Sequence, residues 1–388
     1  MMEICPTEQC TGCFACVNAC KLGCITMRED SYGEWHPSID STKCIQCGVC
    51  QRACPNNQQP QYHTPRACYA VWNTNKNERA KSASGGVGKK IADYTINEIQ
   101  GVFVGTEYNK EFTPIHTFAR KGKDTTVYQG SKYIQSRVGE TTYREIEHLL
   151  KNGEWITYIS TPCQIAGLLS YLGKPYEKLL TIDLLCHGVS PVRYFQDDYK
   201  YLVKRYHLQH ITDVRFRDNE GHNFRMTLWN NNNCLLNLSA RCDYYFAGFL
   251  YGVSLRENCY TCKYANTQRI ADITLGDFIG IGTEKPFTKS KENVSVVLLN
   301  TTKGEHFFAK LLEKYPSLFA EQRPYSERLS YPLSIGKQTP KHKDREQFRA
   351  AVKSDGFHYA IRKVLGLRVF RSRCWEYLRQ IKQKWNTK

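Results

Sequence analysis

No stretch of this 388-residue chain approaches the ~20 consecutive apolar residues of a membrane-spanning helix, which excludes an integral membrane helix. The first residues, MMEICPTEQC, carry no apolar leader. A leaderless chain with 18 cysteines is expected in a reducing cytoplasm, where disulfides are rare. Acidic residues are in deficit, 37 against 54 Lys and Arg, for a net charge of +17. The deficit is local: residues 337–388 hold 15 Lys/Arg and four acids, whereas residues 1–60 hold four and six. Such a tail suits anionic lipid, an acidic protein or nucleic acid. No stacking-aromatic motif accompanies it, which makes nucleic acid the least favoured of the three. Internal repeats are absent with one exception, and that one is made of cysteine.

Cys10, Cys13, Cys16 and Cys20 read C-x2-C-x2-C-x3-C, and Cys44, Cys47, Cys50 and Cys54 repeat it, followed by Pro55. This spacing holds a pair of [4Fe-4S] clusters in bacterial-type ferredoxins, where the fourth cysteine of each run ligates the other cluster. The expected sets are therefore Cys10, Cys13, Cys16 and Cys54, and Cys44, Cys47, Cys50 and Cys20. Zinc would want separated C-x2-C pairs, and disulfides a secreted chain. Lys21 stands where the pattern often has proline, which loosens a turn without touching the ligands.

The length allows two or three domains, and 41% hydrophobic content allows a proper core. The expected fold is mixed α/β. Residues 1–60 form a ferredoxin-like di-cluster domain with short strands at 25–27 and 33–35. Residues 56–66 are a polar, proline-bearing linker. Residues 67–330 alternate strands (70–72, 101–105, 112–119, 154–160, 179–186, 211–217, 223–230, 271–278, 293–300) with helices (81–100, 142–153, 162–172, 190–207, 302–315). Residues 337–388 are a helical tail. In it Ile361, Val364, Leu367, Phe370, Cys374, Leu378, Ile381 and Trp385 recur every three or four residues between Lys and Arg, with Gly366 as a weak point. The tail is either an amphipathic helix for a membrane surface, at the inner face of the membrane, or a terminal helix docked on the body.

Four further cysteines stand at ends of expected elements. Cys163 opens a helix, Cys186 ends a strand, and Cys259 and Cys262 form a C-x2-C pair. Strand ends in open α/β sheets converge on the ligand crevice, so these four are candidates for a third cluster, a zinc site or plain buried thiols. Ser84, Gly85 and Gly86 at a helix start suit a phosphate. Lys132 offers a cation. His187 and Asp277 are candidate proton donors, and for His187 a structural role is the alternative.

The segments GSKYIQS, STPCQIAGLL, DLLCHGVSP, CYTCKYA and ADITLGDFIG, in this order, resemble the coenzyme F420 hydrogenase/dehydrogenase beta-subunit family. That family includes deazaflavin-reducing hydrogenase and formate dehydrogenase beta subunits and plant 7-hydroxymethyl chlorophyll a reductase. The resemblance runs from about Ala67 to Pro324. It implies FAD in the α/β domain, contacted by Ser84, Gly85, Gly86 and Lys132, and a cluster on Cys163, Cys186, Cys259 and Cys262. Gly88 and Ile279 stand where the family often has aromatics. The expected activity is an FAD-dependent iron–sulfur reductase fed by a ferredoxin or a redox partner subunit and acting on an organic substrate. The alternative is a non-catalytic electron-transfer subunit of a larger complex.

Overall fold

The computed structural model describes residues 3–290 and 293–386. At the N-terminus, β1 (Ile25–Glu29) and β2 (Trp35–Ile39) form an antiparallel hairpin between two short helices, Ala15–Ala19 and Val49–Arg52. Each helix is preceded by alternating left-handed residues, Gly12 and Phe14 in one run and Gln46 and Gly48 in the other. That alternation turns successive N–H groups inward and makes a concave seat for negative charge. The second strand starts two residues later than 33–35. Asp30 holds the preceding turn through the N–H groups of Tyr32 and Glu34, at 2.8 and 2.9 Å, and Gly33 takes a positive φ.

Beyond it follow β3 (Ala67–Asn73), β4 (Val102–Tyr108), β5 (Pro114–Ala119), β6 (Ile156–Ser160), β7 (Leu179–Leu184), β8 (Asp213–Arg215), β9 (Arg225–Asn230), β10 (Asn233–Ser239), β11 (Ile273–Asp277), β12 (Ser295–Leu299) and β13 (Leu318–Gln322). β8, β9 and β10 make a small antiparallel sheet, and the other eight make one mixed sheet in the order β13-β3-β12-β11-β7-β6-β4-β5. Its centre, β4, β6, β7 and β11, is parallel, and the flanking pairings are antiparallel. Two antiparallel steps restore the direction of β3. The C-terminal ends of β3, β4, β6, β7 and β11 therefore share one edge, the edge where such sheets carry ligands.

Alternation along the strands covers both faces. Val102, Val104, Ile156 and Tyr158 pack with the helices Thr142–Lys151 and Pro162–Leu172 and with Phe14, Ala15 and Val17 of the N-terminal module. Phe103, Leu180, Ile182, Ile273 and Leu275 pack with the helices Val87–Asn97 and Thr302–Lys314. A third core joins the small sheet, the helices Val192–Tyr206 and Tyr244–Leu250, and the start of the C-terminal helix.

The N-terminal module is stitched to this body. Asn18, 2% exposed, donates to Gly139 O and accepts from Tyr143 N–H, both at 3.0 Å. The linker is not free: His63 and Arg269 exchange backbone hydrogen bonds of 2.6 and 2.8 Å, and Tyr62 Oη donates to Lys263 O at 3.0 Å.

The tail is one long helix, Arg345–Asn386, broken at Gly356, whose φ of 80° and ψ of 175° are not helical. Gly366, the expected weak point, stays helical. The first half of the tail is docked on the body, as one of the two readings expects, and the second half is not buried. Phe348, Phe357, Ile361, Leu365 and Val369 are buried in the body, while Leu367, Phe370 and every large apolar side chain described beyond Val369 are exposed. Among the described residues no helix is long and apolar enough to cross a membrane.

Candidate redox site

Cys10, Cys13, Cys16 and Cys54 line one small cavity together with Gly12 and Phe14. Cys20, from the first run, is instead an electrostatic neighbour of Cys50 and Cys44. Cys47 is exposed on the outer loop. Two cysteines outside the spacing pattern stand beside the sets. Cys5 touches Cys10 and Cys54, and the Cys24 sulfur lies 3.3 Å from that of Cys20.

Cys163, Cys186, Cys259 and Cys262 lie within electrostatic reach of one another. Cys163 begins the helix after β6, Cys186 follows β7, and the other two lie in and after a 3-10 turn at Glu257–Thr261. Cys259 feels Cys186, Cys262 and Cys163, and Cys186 feels Cys163 and Cys262. Burial and mutual repulsion push these thiols up, Cys163 to about 11 and Cys186 to about 12. At neutral pH such thiols stay protonated unless a metal displaces the protons. Arg269, 1% exposed, lies beside Cys186 and Cys262 and forms a 3.0 Å ion pair with buried Asp183.

Between this set and the first lies Arg256, which is fully buried. Its guanidinium donates to Cys10 O at 2.9 Å, Gln135 Oε1 at 3.0 Å, Asn258 Oδ1 at 3.1 Å and Trp35 O at 3.2 Å. All four acceptors are neutral. The carboxylate of Glu34 is 4.0 Å away, while the thiols of Cys10 and Cys163 both feel the guanidinium. A buried cation needs compensating negative charge; buried Glu34 supplies part of it, and thiolate-ligated clusters on either side would add to it. The residues thus fit three clusters. Sequence reasoning missed Arg256, which carries no local pattern.

The residues named for FAD divide. Ser84 Oγ is buried without a hydrogen-bond partner among the described residues. Gly86, with φ of 82°, starts the helix Val87–Asn97, and no side chain caps it. Free N–H groups and an idle hydroxyl fit a phosphate. Gly85 has a packing reason: a Cβ there would lie 2.1 Å from Val71 O of β3. Lys132 is turned into its own loop, donating to Val127 O and Gln129 O at 3.2 and 3.1 Å, and burial lowers it to about 8. His187 is engaged at both ring nitrogens, by Phe249 O at 3.2 Å and Thr339 Oγ1 at 3.3 Å, and burial lowers its pKa. Asp277 pairs with buried Arg217, which also donates to Tyr133 Oη at 3.3 Å.

Residues 9–58 match the model of the 4Fe-4S dicluster domain, and residues 153–319 match the model of the C-terminal part of the coenzyme F420 hydrogenase/dehydrogenase beta subunit. The chain is thus similar to the coenzyme F420 hydrogenase/dehydrogenase beta-subunit family over residues 153–319. An uncharacterized protein of Methanocaldococcus jannaschii is 25% identical over 353 residues, which is 79% of this chain and 88% of that protein. An uncharacterized protein of Porphyra purpurea, encoded between rpl9 and rpl11, is 41% identical over 56 residues, 13% of this chain and 68% of that one. A chain in the F420-reducing [NiFe] hydrogenase complex of Methanosarcina barkeri superposes with a TM-score of 0.46 at 15% identity, covering 79% of this chain and 94% of that chain.

Cys163, Cys186, His187, Cys259, Cys262 and Asp277 all fall inside the matched 153–319, whereas Ser84, Gly85, Gly86 and Lys132 fall outside it. The two sequence departures open space: a Cβ on Gly88 would meet nothing within 4 Å, and Ile279 is exposed.

Proposed function

We propose that this chain is a member of the beta-subunit family and an iron–sulfur flavoprotein oxidoreductase that moves electrons between a ferredoxin or partner subunit and an organic acceptor. The observation that carries it is Arg256, a buried cation with only neutral hydrogen-bond acceptors, lodged between two groups of four cysteines. Clusters supply single-electron transfer, and FAD, when bound, couples this to two-electron chemistry.

The chain's own residues arrange three cysteine sets in series. The outermost, with exposed Cys47, faces a donor. The middle one, Cys10, Cys13, Cys16 and Cys54, is buried against the body. The innermost, Cys163, Cys186, Cys259 and Cys262, stands at the carboxyl ends of β6 and β7, beside the crevice. We assign Ser84 and the first N–H groups of the helix Val87–Asn97 to the FAD diphosphate. Gly85 lets that loop lie on β3. Arg217 and Asp277 order the far side of the crevice. His187 is a buttress that ties the Cys186 segment to Phe249 and Thr339, and Lys132 braces its own loop.

Anaerobic purification followed by iron, acid-labile sulfide and flavin analysis tests this. About twelve irons and one FAD per chain are expected. About eight irons would remove the innermost cluster. No flavin, even after reconstitution with FAD, would leave a non-catalytic electron-transfer subunit.

A further inference from the structure

Beyond Val369 the C-terminal helix keeps contact with the body on one side and presents another face that nothing covers among the described residues. Leu367, Phe370, Cys374, Leu378 and Ile381 are all exposed. At 3.6 residues per turn they fall on one narrow stripe, with exposed Tyr377 at its margin. The side chain of Trp385 lies outside the described residues.

Charge on this segment is sorted. Residues 361–382 carry seven Lys and Arg and a single acid, Glu376. Glu376 turns inward, where Arg225 Nη2 donates to it at 2.6 Å and Cys242 Sγ lies 3.0 Å away. Arg373 also turns inward, donating to Cys242 O at 2.8 Å. Arg362, Lys363, Arg371, Arg379 and Lys382 stay exposed. Arg371, Arg379 and Lys382 lie along one flank of the stripe, with Trp375, 72% exposed, among them. The outward surface is therefore apolar along its middle, cationic beside it, and free of acids.

We propose that this face lies in the headgroup layer of an anionic lipid bilayer. Such a surface presents an apolar layer beneath a negatively charged one, which matches a stripe flanked by cations. Trp375 and Tyr377 are the amphipathic rings that settle at that boundary. A second copy of the chain would bring the same positive face and be repelled. The docked half, from Phe348 to Val369, fixes the helix to the protein. This proposal stands apart from the redox reading, because its test reads no electron transfer.

The full chain, purified anaerobically, is to be sedimented with vesicles of phosphatidylcholine alone and of phosphatidylcholine mixed with phosphatidylglycerol. Binding is expected only with the anionic vesicles, and added salt should weaken it. Arg371→Gln and Lys382→Gln should each weaken it about fivefold. The triple variant Leu367→Gln, Phe370→Gln, Leu378→Gln alters exposed positions only and should abolish sedimentation with unchanged circular dichroism. The proposal is overturned if the native chain ignores anionic vesicles at low salt or if the triple variant sediments as well as the native chain. It is equally overturned if the native chain is an oligomer by sedimentation velocity and the triple variant dissociates it, for then the stripe is a protein contact.

Discussion

Around Cys13 the backbone presses on the helix Pro162–Leu172 so closely that a Cβ on Gly167 would sit 2.9 Å from Cys13 Cβ. Around Cys47, at the same place in the second cysteine run, the neighbouring Ile45 is 72% exposed. Spacing, helix and left-handed residues repeat between the runs, yet one is sealed and the other open. Cysteine spacing defines what each loop can hold, and the surroundings define what it can talk to. The inner loop faces Arg256 and the innermost cysteines, and on the proposed reading the outer loop receives the electrons.

The sharpest way to break this comparison is to remove one ligand from each loop. Cys13→Ser should lose about four irons and destabilise the body by several kcal/mol, because cluster and core are joined there. Cys47→Ser should lose as many irons and leave the thermal unfolding of the larger domain in place. Equal losses of stability would show that the two loops are not differently seated.

Arg256→Gln comes next. It leaves Glu34 buried and the cysteine sets without their cation, at a cost of about 3–5 kcal/mol. Reduction adds negative charge, so loss of the cation should lower the reduction potential of the inner set. Arg256→Lys should restore part of it in a spectroelectrochemical titration. An unchanged potential would leave Arg256 purely structural.

Gly167→Ala should cost about 1–3 kcal/mol by overpacking against Cys13, read as a lower midpoint in denaturant. The smallest effect on stability belongs to Ile45→Asp, within about ±0.5 kcal/mol as for other exposed sites. It should nevertheless slow reduction by an electron-donor protein in stopped flow, which Gly167→Ala should do far less.

Much of this was legible in the sequence, for local reasons. The repeated cysteine spacing is a local pattern, and the parallel strands β4, β6 and β7 each open on apolar or β-branched residues. Asn233–Ser239 was not legible, because its polar start reads as a turn. Tyr244–Leu250 and Leu318–Gln322 are short and take their place from the core and the edge they pack against. The break in the C-terminal helix fell at Gly356 and not at Gly366, because burial of both Phe348 and Phe357 demands a change of direction between them. Arg256 was invisible for a different reason. An arginine in sequence reads as surface, and only the three-dimensional gathering of distant cysteines gives it a place.

Asn18 has a consequence for how such a chain can be rebuilt. Its side chain spans the N-terminal module and the body through Gly139 and Tyr143, and Arg256 does the same through Cys10 and Trp35. An exchangeable cartridge would meet its host through a loose tether. This one is keyed, so a foreign ferredoxin spliced in at residue 60 would keep its irons and lose its fit. Only donors that carry an asparagine at this place, and backbone carbonyls where Arg256 arrives, would conduct.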